Sequence, residues 1–234
     1  MARGYAKYIC AYCRQRPSIR IGDHVFARAF FAEGRRHDLP KAPACDECNN
    51  AKSKFEIYLS AVLPFGSRLE SSANDAETLA VPRLKKNQKL ARELAAGYED
   101  LGDDGAGLPF DRDKLLGWGR YLPFGLLWHH RGEYMPSGYD AIAITPPDES
   151  LQQLASLLTL DGHRYDGDLG SGTFRYAGTC AFDDPAVSVW FVQLMSGLQL
   201  TGDPERPDAK VSALVIITGP PSTIENVRKV WVRQ

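Results

Sequence analysis

The sequence predicts an α+β fold in three parts: a small N-terminal module, a helical connector, and an α+β domain with a mostly antiparallel sheet. Two Cys-x-x-Cys pairs lie within the first 50 residues, and helical periodicity of apolar residues dominates 84–130. After residue 138, alternating apolar segments rich in β-branched and aromatic side chains indicate strands. We therefore place the three parts at 1–65, 66–137 and 138–234.

Composition indicates a globular chain whose charge is distributed unevenly. Of the 234 residues, 44% are hydrophobic, and the net charge is −1. The first 60 residues contain 11 Lys/Arg and 6 Asp/Glu, so they carry +5 and the remainder −6. A basic module suits a polyanionic partner, although a solvated surface explains the excess equally well. No apolar run approaches the ~18–20 residues of a membrane helix, so we expect a cytoplasmic protein without membrane contact.

The N-terminal part predicts two strands and a helix. Alternation over 18–31, with Gly22 inside it, indicates a short hairpin whose second arm turns helical near its end. A polar loop follows. From Asn49 to about Val62 the apolar residues fall on one helical face, and Pro64 ends the helix.

The remaining elements follow from breakers and periodicity. Residues 66–83 are linker-like, with a helical turn near 76–80. Residues 84–101 and the stretch after Asp111, a predicted helix cap, are helical, with a break near Pro123. A helix is predicted over 147–160. Strands are predicted at 139–146, 172–182, 186–195 and 209–220, with a short additional one at 197–202.

The cysteines predict a metal site. Cys10 and Cys13 form one pair, and Cys45 and Cys48 form a second pair 31 residues later. Two tight turns that each carry two thiolates give tetrahedral coordination by four sulfurs, which suits zinc. Because such a site has no open position, the zinc would be structural. A redox pair and buried free thiols are the alternatives.

Oxygen and imidazole side chains lie beside these cysteines. Asp23 precedes His24 at the end of a predicted strand, and Asn49 follows the second cysteine pair. A carboxylate and an amide oxygen can bind a hard cation such as Mg²⁺, and an imidazole can take a proton from water near neutral pH. If zinc holds the two cysteine turns together, these side chains lie close to one another.

The segments "YICAYCRQRPSIRIGDHVFARAFF" and "APACDECNNAKSKFEIYL" resemble the HNH endonuclease family, in its four-cysteine, zinc-supported form with a ββα-metal core. The resemblance covers about residues 8–60. It implies that Asp23 and Asn49 bind a catalytic divalent metal, Mg²⁺ or Mn²⁺, and that His24 is the general base. It also implies that Lys52 lies near the phosphate backbone. Stand-alone bacterial HNH proteins of this layout are often linked to phage defence or mobile elements.

The chain also departs from the family pattern. Ala27 stands where many members have proline, and the middle asparagine of the family has no clear counterpart. Glu56 lies two helical turns beyond Asn49 and is a candidate outer metal ligand, or else an exposed helix charge.

The activity that the resemblance implies is metal-assisted hydrolysis of DNA phosphodiester bonds, which leaves 5′-phosphate and 3′-hydroxyl ends. The candidate phosphate contacts are Lys52, Lys54, Arg28 and Arg20. Two alternatives stay open: an inactive zinc-dependent adaptor for nucleic acid or protein, and an RNA-directed nuclease. The C-terminal domain is a candidate surface for a protein partner or a homodimer.

Other polar residues are predicted to be structural. We expect His129 and His130 to lie at a helix C-terminus, where they interact favourably with the helix dipole. His163 is expected in a surface loop, and Cys180 in the core. The glycine-rich 170–174 lacks the spacing of a phosphate loop and predicts a turn.

Overall fold

The computed structural model describes residues 4–5, 7–16, 20–100, 106–159, 161–200 and 210–231. Its strands are β1 (Arg20–His24), β2 (Lys41–Cys45), β3 (Glu99–Asp100), β4 (Ala106–Gly107), β5 (Asp140–Ile144), β6 (His163–Leu169), β7 (Phe174–Cys180), β8 (Ser188–Leu194) and β9 (Ala213–Gly219). Its α-helices are α1 (Asp46–Val62), α2 (Ser72–Asp75), α3 (Val81–Lys86), α4 (Gln88–Ala96), α5 (Arg112–Gly119), α6 (Leu122–Arg131), α7 (Asp148–Ala155) and α8 (Pro221–Trp231).

The N-terminal part is an antiparallel strand pair followed directly by a helix. β1 pairs with β2, and this pairing places His24 opposite Lys41. The predicted hairpin within 18–31 is wrong, because Gly22 lies in the middle of β1, opposite Pro43. The intervening chain leaves the strand because three phenylalanines are buried in the core: Phe26, Phe30 and Phe31.

Helix α1 begins at Asp46, three residues before the predicted start at Asn49. Cys45 is its N-cap residue, and Cys45 Sγ accepts a hydrogen bond from the Cys48 N–H at 3.4 Å. Acidic side chains in the first turn favour this start, because they interact well with the positive end of the helix dipole. The second cysteine pair therefore lies at the helix start itself.

The connector is more helical than the sequence predicted. The linker-like 66–83 contains α2, a π-helical turn (Ala76–Ala80) and the start of α3. Asp75 anchors this region, because its buried carboxylate pairs with Arg35 and accepts a hydrogen bond from the Ser71 hydroxyl at 2.9 Å.

Two further helix predictions have different outcomes. The predicted helix over 84–101 breaks at Asn87, whose Oδ1 accepts a hydrogen bond from the Leu90 N–H at 3.2 Å and caps α4. The Asp111 cap is confirmed, since Asp111 Oδ1 accepts from the Lys114 N–H at 3.2 Å. The predicted break is also confirmed, because α5 ends at Gly119 and Pro123 lies in the first turn of α6.

The C-terminal part contains a five-stranded antiparallel sheet in the order β5-β9-β8-β7-β6. The four main predicted strands and helix α7 are confirmed, and so is the turn between β6 and β7. Strand β6 was missed: its alternating ionic residues predicted a loop, yet His163 begins a strand that pairs fully with β7. Helix α8 was also missed. At 197–202, Leu200 makes a single bridge to Val211, and 201–209 lie outside the described residues.

One hydrophobic core joins all three predicted parts. Phe26 of the N-terminal part lies 5.8 Å from Trp118 of α5 and 5.3 Å from Phe174 of β7, measured between ring centroids. The opposite face of the sheet packs on α7 and α8 through a second cluster that includes Val215 and Ile224. The prediction of α+β architecture with an antiparallel sheet is confirmed. None of the helices in the described ranges has the length and apolarity required to cross a membrane.

Candidate active site and metal centre

The four N-terminal cysteines come together in space. Their sulfur atoms all lie within 4.8 Å of one another, and all four thiols are free. Cys13 Sγ and Cys45 Sγ are 3.8 Å apart. A tetrahedral zinc with Zn–S bonds of about 2.3 Å has S–S edges of about 3.8 Å, so this spacing matches. The predicted cluster is confirmed as a group that can hold a metal ion such as zinc.

The electrostatics of the cluster favour a bound cation. A hydrogen bond from Cys48 lowers the pKa of Cys10 to about 4, whereas burial raises the pKa of Cys13 to about 11. The pKa of Cys48 is raised because its thiol hydrogen-bonds to Cys10, with burial adding to the shift. One thiolate thus makes ionisation of its neighbours unfavourable. A metal ion removes this conflict, because its charge stabilises all four thiolates together.

Asp23 and Glu56 face each other across a buried lysine. Lys52 has 0% exposure, and its Nζ lies 2.9 Å from Asp23 Oδ2 and 2.6 Å from Glu56 Oε1. The same Nζ donates to the backbone oxygen of His24 at 2.9 Å. An ammonium has three N–H donors, so each one has an acceptor. The predicted phosphate contact by Lys52 does not fit this position, and we correct its role to an internal ion pair.

Two aromatic residues complete this buried network. The hydroxyl of Tyr12, which lies between the cysteines of the first pair, donates to Asp23 Oδ2 at 2.5 Å. Trp118 Nε1 of α5 donates to Glu56 Oε1 at 3.3 Å. Burial raises the pKa of Glu56, and Lys52 opposes that shift. The exposed-charge reading of Glu56 is wrong, because the side chain is only 6% exposed.

His24 faces the opposite side of β1 from Asp23, as alternation along a strand requires. It is half-buried and lines a cleft together with Lys41 and Arg36 of the β1–β2 region and His129 of α6. Burial lowers the pKa of His24, and the charge of Lys41 lowers it further. Both effects favour the neutral imidazole, which is the form that can accept a proton.

The proposed oxygen ligands have different environments. Asn49 is half-buried and precedes Lys52 by three residues and Glu56 by seven, so all three lie along the side of α1 that faces β1. Asp23 Oδ2 already accepts two hydrogen bonds, whereas no bond to its Oδ1 is found among the described residues. Asp23 Oδ1 and the Asn49 amide oxygen are therefore ligand types that suit a divalent cation. The Lys52 ammonium lies beside them, on Asp23 Oδ2.

Known proteins give no guide to this site. No family model, curated protein or solved structure matches the chain. The site is therefore interpreted from its own geometry.

Two of the other candidate phosphate contacts lie on the surface. Lys54 of α1 and Arg28, in the turn after β1, are exposed. The side chain of Arg20 lies outside the described residues. His129 and His130 are in the last turn of α6, as predicted, and His129 in addition reaches the cleft of His24.

Several site residues were missed by sequence reasoning. Tyr12 could have been found, because it lies inside the first cysteine pair and must follow that turn. The donation from Trp118 to Glu56 could not be predicted, because it depends on how α5 packs against α1. Lys41 and Arg36 belong to the basic excess of the N-terminal part, but only the strand pairing and the loop path bring them to His24.

Proposed function

We propose that this chain is a metal-dependent endonuclease of the HNH type that hydrolyses DNA phosphodiester bonds. One observation carries the proposal: Asp23 and His24 diverge at the end of β1, the carboxylate into the buried ion pair and the imidazole into a basic cleft. This arrangement suits a nuclease. The general base is accessible to water and substrate, while the buried ion pair of the neighbouring residue keeps its strand in place.

His24 acts as the general base. Its strand is held by pairing with β2, and its backbone oxygen accepts a hydrogen bond from Lys52, so the imidazole has a defined position. The imidazole takes a proton from a water molecule, and the resulting hydroxide attacks the phosphorus in line with the departing 3′ oxygen. Lys41 and Arg36, which line the same cleft, supply positive charge for the phosphate.

Asp23 and Asn49 would hold the catalytic Mg²⁺ or Mn²⁺. Such a cation would supply stabilisation of the negative charge that develops on the phosphate and on the leaving oxygen. Because the Lys52 ammonium touches the same carboxylate, we expect Asp23 and Asn49 to bind the cation weakly in the absence of substrate.

The four-cysteine cluster holds structural zinc. Tyr12 connects this cluster to the active site, because it lies within the first cysteine turn and donates to Asp23. Zinc binding therefore fixes the loop that positions the carboxylate as well as the start of α1.

A second candidate function is a non-cleaving adaptor. The Lys52–Asp23 contact favours it, because the Lys52 ammonium already neutralises the carboxylate that would bind the catalytic cation. The deciding experiment incubates wild-type protein with Mg²⁺ or Mn²⁺ and a panel of supercoiled plasmid, single-stranded DNA circle and RNA. We expect metal-dependent cleavage of DNA with 5′-phosphate products. Cleavage of RNA alone would change the substrate class, and binding without cleavage of any substrate would establish the adaptor.

A further inference from the structure

The cleft beside His24 has a wall that the proposed chemistry does not use. The cleft has a volume of about 500 Å³ and lies between the N-terminal part and helix α6. Its lining consists of Tyr5, His24, Arg36, Asp38, Leu39, Lys41, Trp128 and His129. Two aromatic rings, two cations and two imidazoles thus meet in one concave site.

The aromatic wall combines Tyr5 of the N-terminal part with Trp128 of α6. The ring centroids of Tyr5 and Trp128 are 5.7 Å apart, and Tyr8 packs edge-on against Trp128 at 5.3 Å. Gly22 makes room for this arrangement, because a Cβ atom there would lie 2.5 Å from Tyr5 Cε2. Tyr5 and Trp128 are only half-buried, so their rings pack against the module and still line the cleft.

Trp128 also carries a polar group with no internal partner. Its Nε1 is buried and makes no hydrogen bond to any residue that the structure describes. A buried indole N–H normally has an acceptor.

The charged residues of the cleft suit a phosphate. Arg36 Nε donates to the Phe31 backbone oxygen at 3.0 Å, which fixes the guanidinium, and Lys41 is exposed at the start of β2. Asp38 is the single acidic residue in the lining. The cleft therefore carries a net positive charge next to an aromatic wall, the combination that proteins use to bind single-stranded nucleic acid.

We propose that this cleft binds an unpaired nucleotide, with its base against Tyr5 and Trp128 and its phosphate at Arg36 and Lys41. The inference rests on the proposed function and names its substrate class: the phosphodiester at His24 belongs to a single-stranded, frayed or looped segment. A paired base is stacked on both faces within the duplex, so it can reach an aromatic side chain only after it leaves the stack.

Fluorescence anisotropy with labelled oligonucleotides tests this proposal. Oligo-dT and oligo-U of about 12 nucleotides and a duplex of equal length are titrated without added divalent metal and without chelator, so that zinc stays bound. We expect the better single strand to bind at least about fivefold more tightly than the duplex. The Trp128→Ala substitution should weaken that binding by about 5- to 100-fold, as expected for loss of one stacked base.

Controls separate stacking from loss of fold. Tyr98→Ala removes an aromatic residue that is 54% exposed and does not line the cleft, and it should change affinity by less than about twofold. Tyr5→Ala should weaken single-strand binding in the same direction as Trp128→Ala, and Trp128→Phe should recover part of it. Single-strand affinity that survives both alanine substitutions, or a preference for duplex, would overturn the proposal.

The experiment distinguishes failure of this nucleotide site from failure of the proposed nuclease. Trp128-dependent binding without any cleavage by the wild type would support the nucleotide site and reject the nuclease. If Trp128→Ala binds single strands and cleaves DNA as well as the wild type does, the nuclease is supported and the nucleotide site is rejected. Preference between oligo-dT and oligo-U assigns the bound strand to DNA or RNA.

Discussion

Lys52 Nζ lies 2.9 Å from Asp23 Oδ2 and its side chain is fully buried, so the first strand and the first helix are joined by an internal ion pair. Glu56 shares the ammonium at 2.6 Å. Two carboxylates around one ammonium leave a net negative charge in the interior, which the Tyr12 and Trp118 donors stabilise. This network connects the four-cysteine cluster, the proposed base and the connector.

Replacing Lys52 tests that network. In Lys52→Met, Asp23 and Glu56 would remain buried without a cation, and leaving one side of a buried pair uncompensated costs about 3–5 kcal/mol. We expect the free energy of unfolding to fall by that amount in urea titrations. Lys54→Met, on the exposed side of the same helix, should change it by less than about 0.5 kcal/mol. Equal stability of the two variants would contradict the internal ion pair.

Metal analysis tests the cysteine cluster. We expect about one zinc per chain, because the four sulfurs have the spacing of one tetrahedral site. Cys45→Ser should lose the zinc and lower the free energy of unfolding of the whole chain, since structural zinc contributes folding free energy and the N-terminal part shares its core with the sheet. Cys180→Ala, which changes a buried cysteine in the sheet, should keep it. A zinc-free Cys45→Ser protein with the stability of the wild type would show that the metal does not hold the N-terminal part together.

The shared core predicts a single unfolding transition. Phe26 is fully buried, and its ring contacts aromatic rings of both α5 and the sheet. Phe26→Ala should lower the free energy of unfolding by about 3–5 kcal/mol. In the wild type and again in Phe26→Ala, circular dichroism and tryptophan fluorescence should agree with each other on one unfolding midpoint, which is lower in the variant. Separate midpoints for the two probes would indicate that the N-terminal part unfolds on its own.

His130 predicts a loss of stability in acid. Its ring stacks on Tyr165 at 4.5 Å, and its Nε2 lies 3.1 Å from the Tyr176 hydroxyl. Burial lowers the pKa of His130 to about 4, with a smaller contribution from His129, while Asp166 opposes the shift. The unfolded chain therefore binds more protons than the folded one between about pH 6.5 and 4, and the free energy of unfolding falls as the pH is lowered through that window.

The size of this effect can be measured in variants. Because His130 is only partly buried and solvent screens part of the effect, we expect its shifted pKa to cost about 1 kcal/mol between pH 7 and 5. Because acid also protonates the clustered cysteines, the useful quantity is the difference between wild type and variant at each pH. His130→Gln should lose about 1 kcal/mol less than the wild type, and His37→Gln, on an exposed loop, should follow the wild type. Parallel pH profiles for all three proteins would contradict the shifted pKa.

Sequence patterns predicted those features whose physical cause is local. Cysteine spacing predicted the four-sulfur cluster, Asp111 predicted a helix cap, and alternation predicted the strands β5, β7, β8 and β9. The cap and the alternation depend on residues within a few positions of one another, and each cysteine pair is itself local, so one sequence contains these signals.

Features that depend on long-range contacts were missed. The partner of β1 was placed too early, because the phenylalanines after Val25 resemble a returning strand and instead enter the core. Lys52 has the sequence context of a surface helix residue, and its burial follows from the approach of Tyr12 and Trp118 from other elements. Strand β6 has only Tyr165 and Leu169 as large apolar residues on its inner face, and it forms because β7 supplies every pairing partner.

The most direct test of the proposed nuclease is the nicking rate of supercoiled plasmid by wild type, His24→Ala and His37→Ala in Mn²⁺ or Mg²⁺. Because His24 is proposed as the base, its loss should slow nicking by about 10²- to 10⁴-fold. His37→Ala alters an exposed imidazole outside the cleft and should nick at the wild-type rate. Metal-dependent nicking by His24→Ala at the wild-type rate would contradict the account.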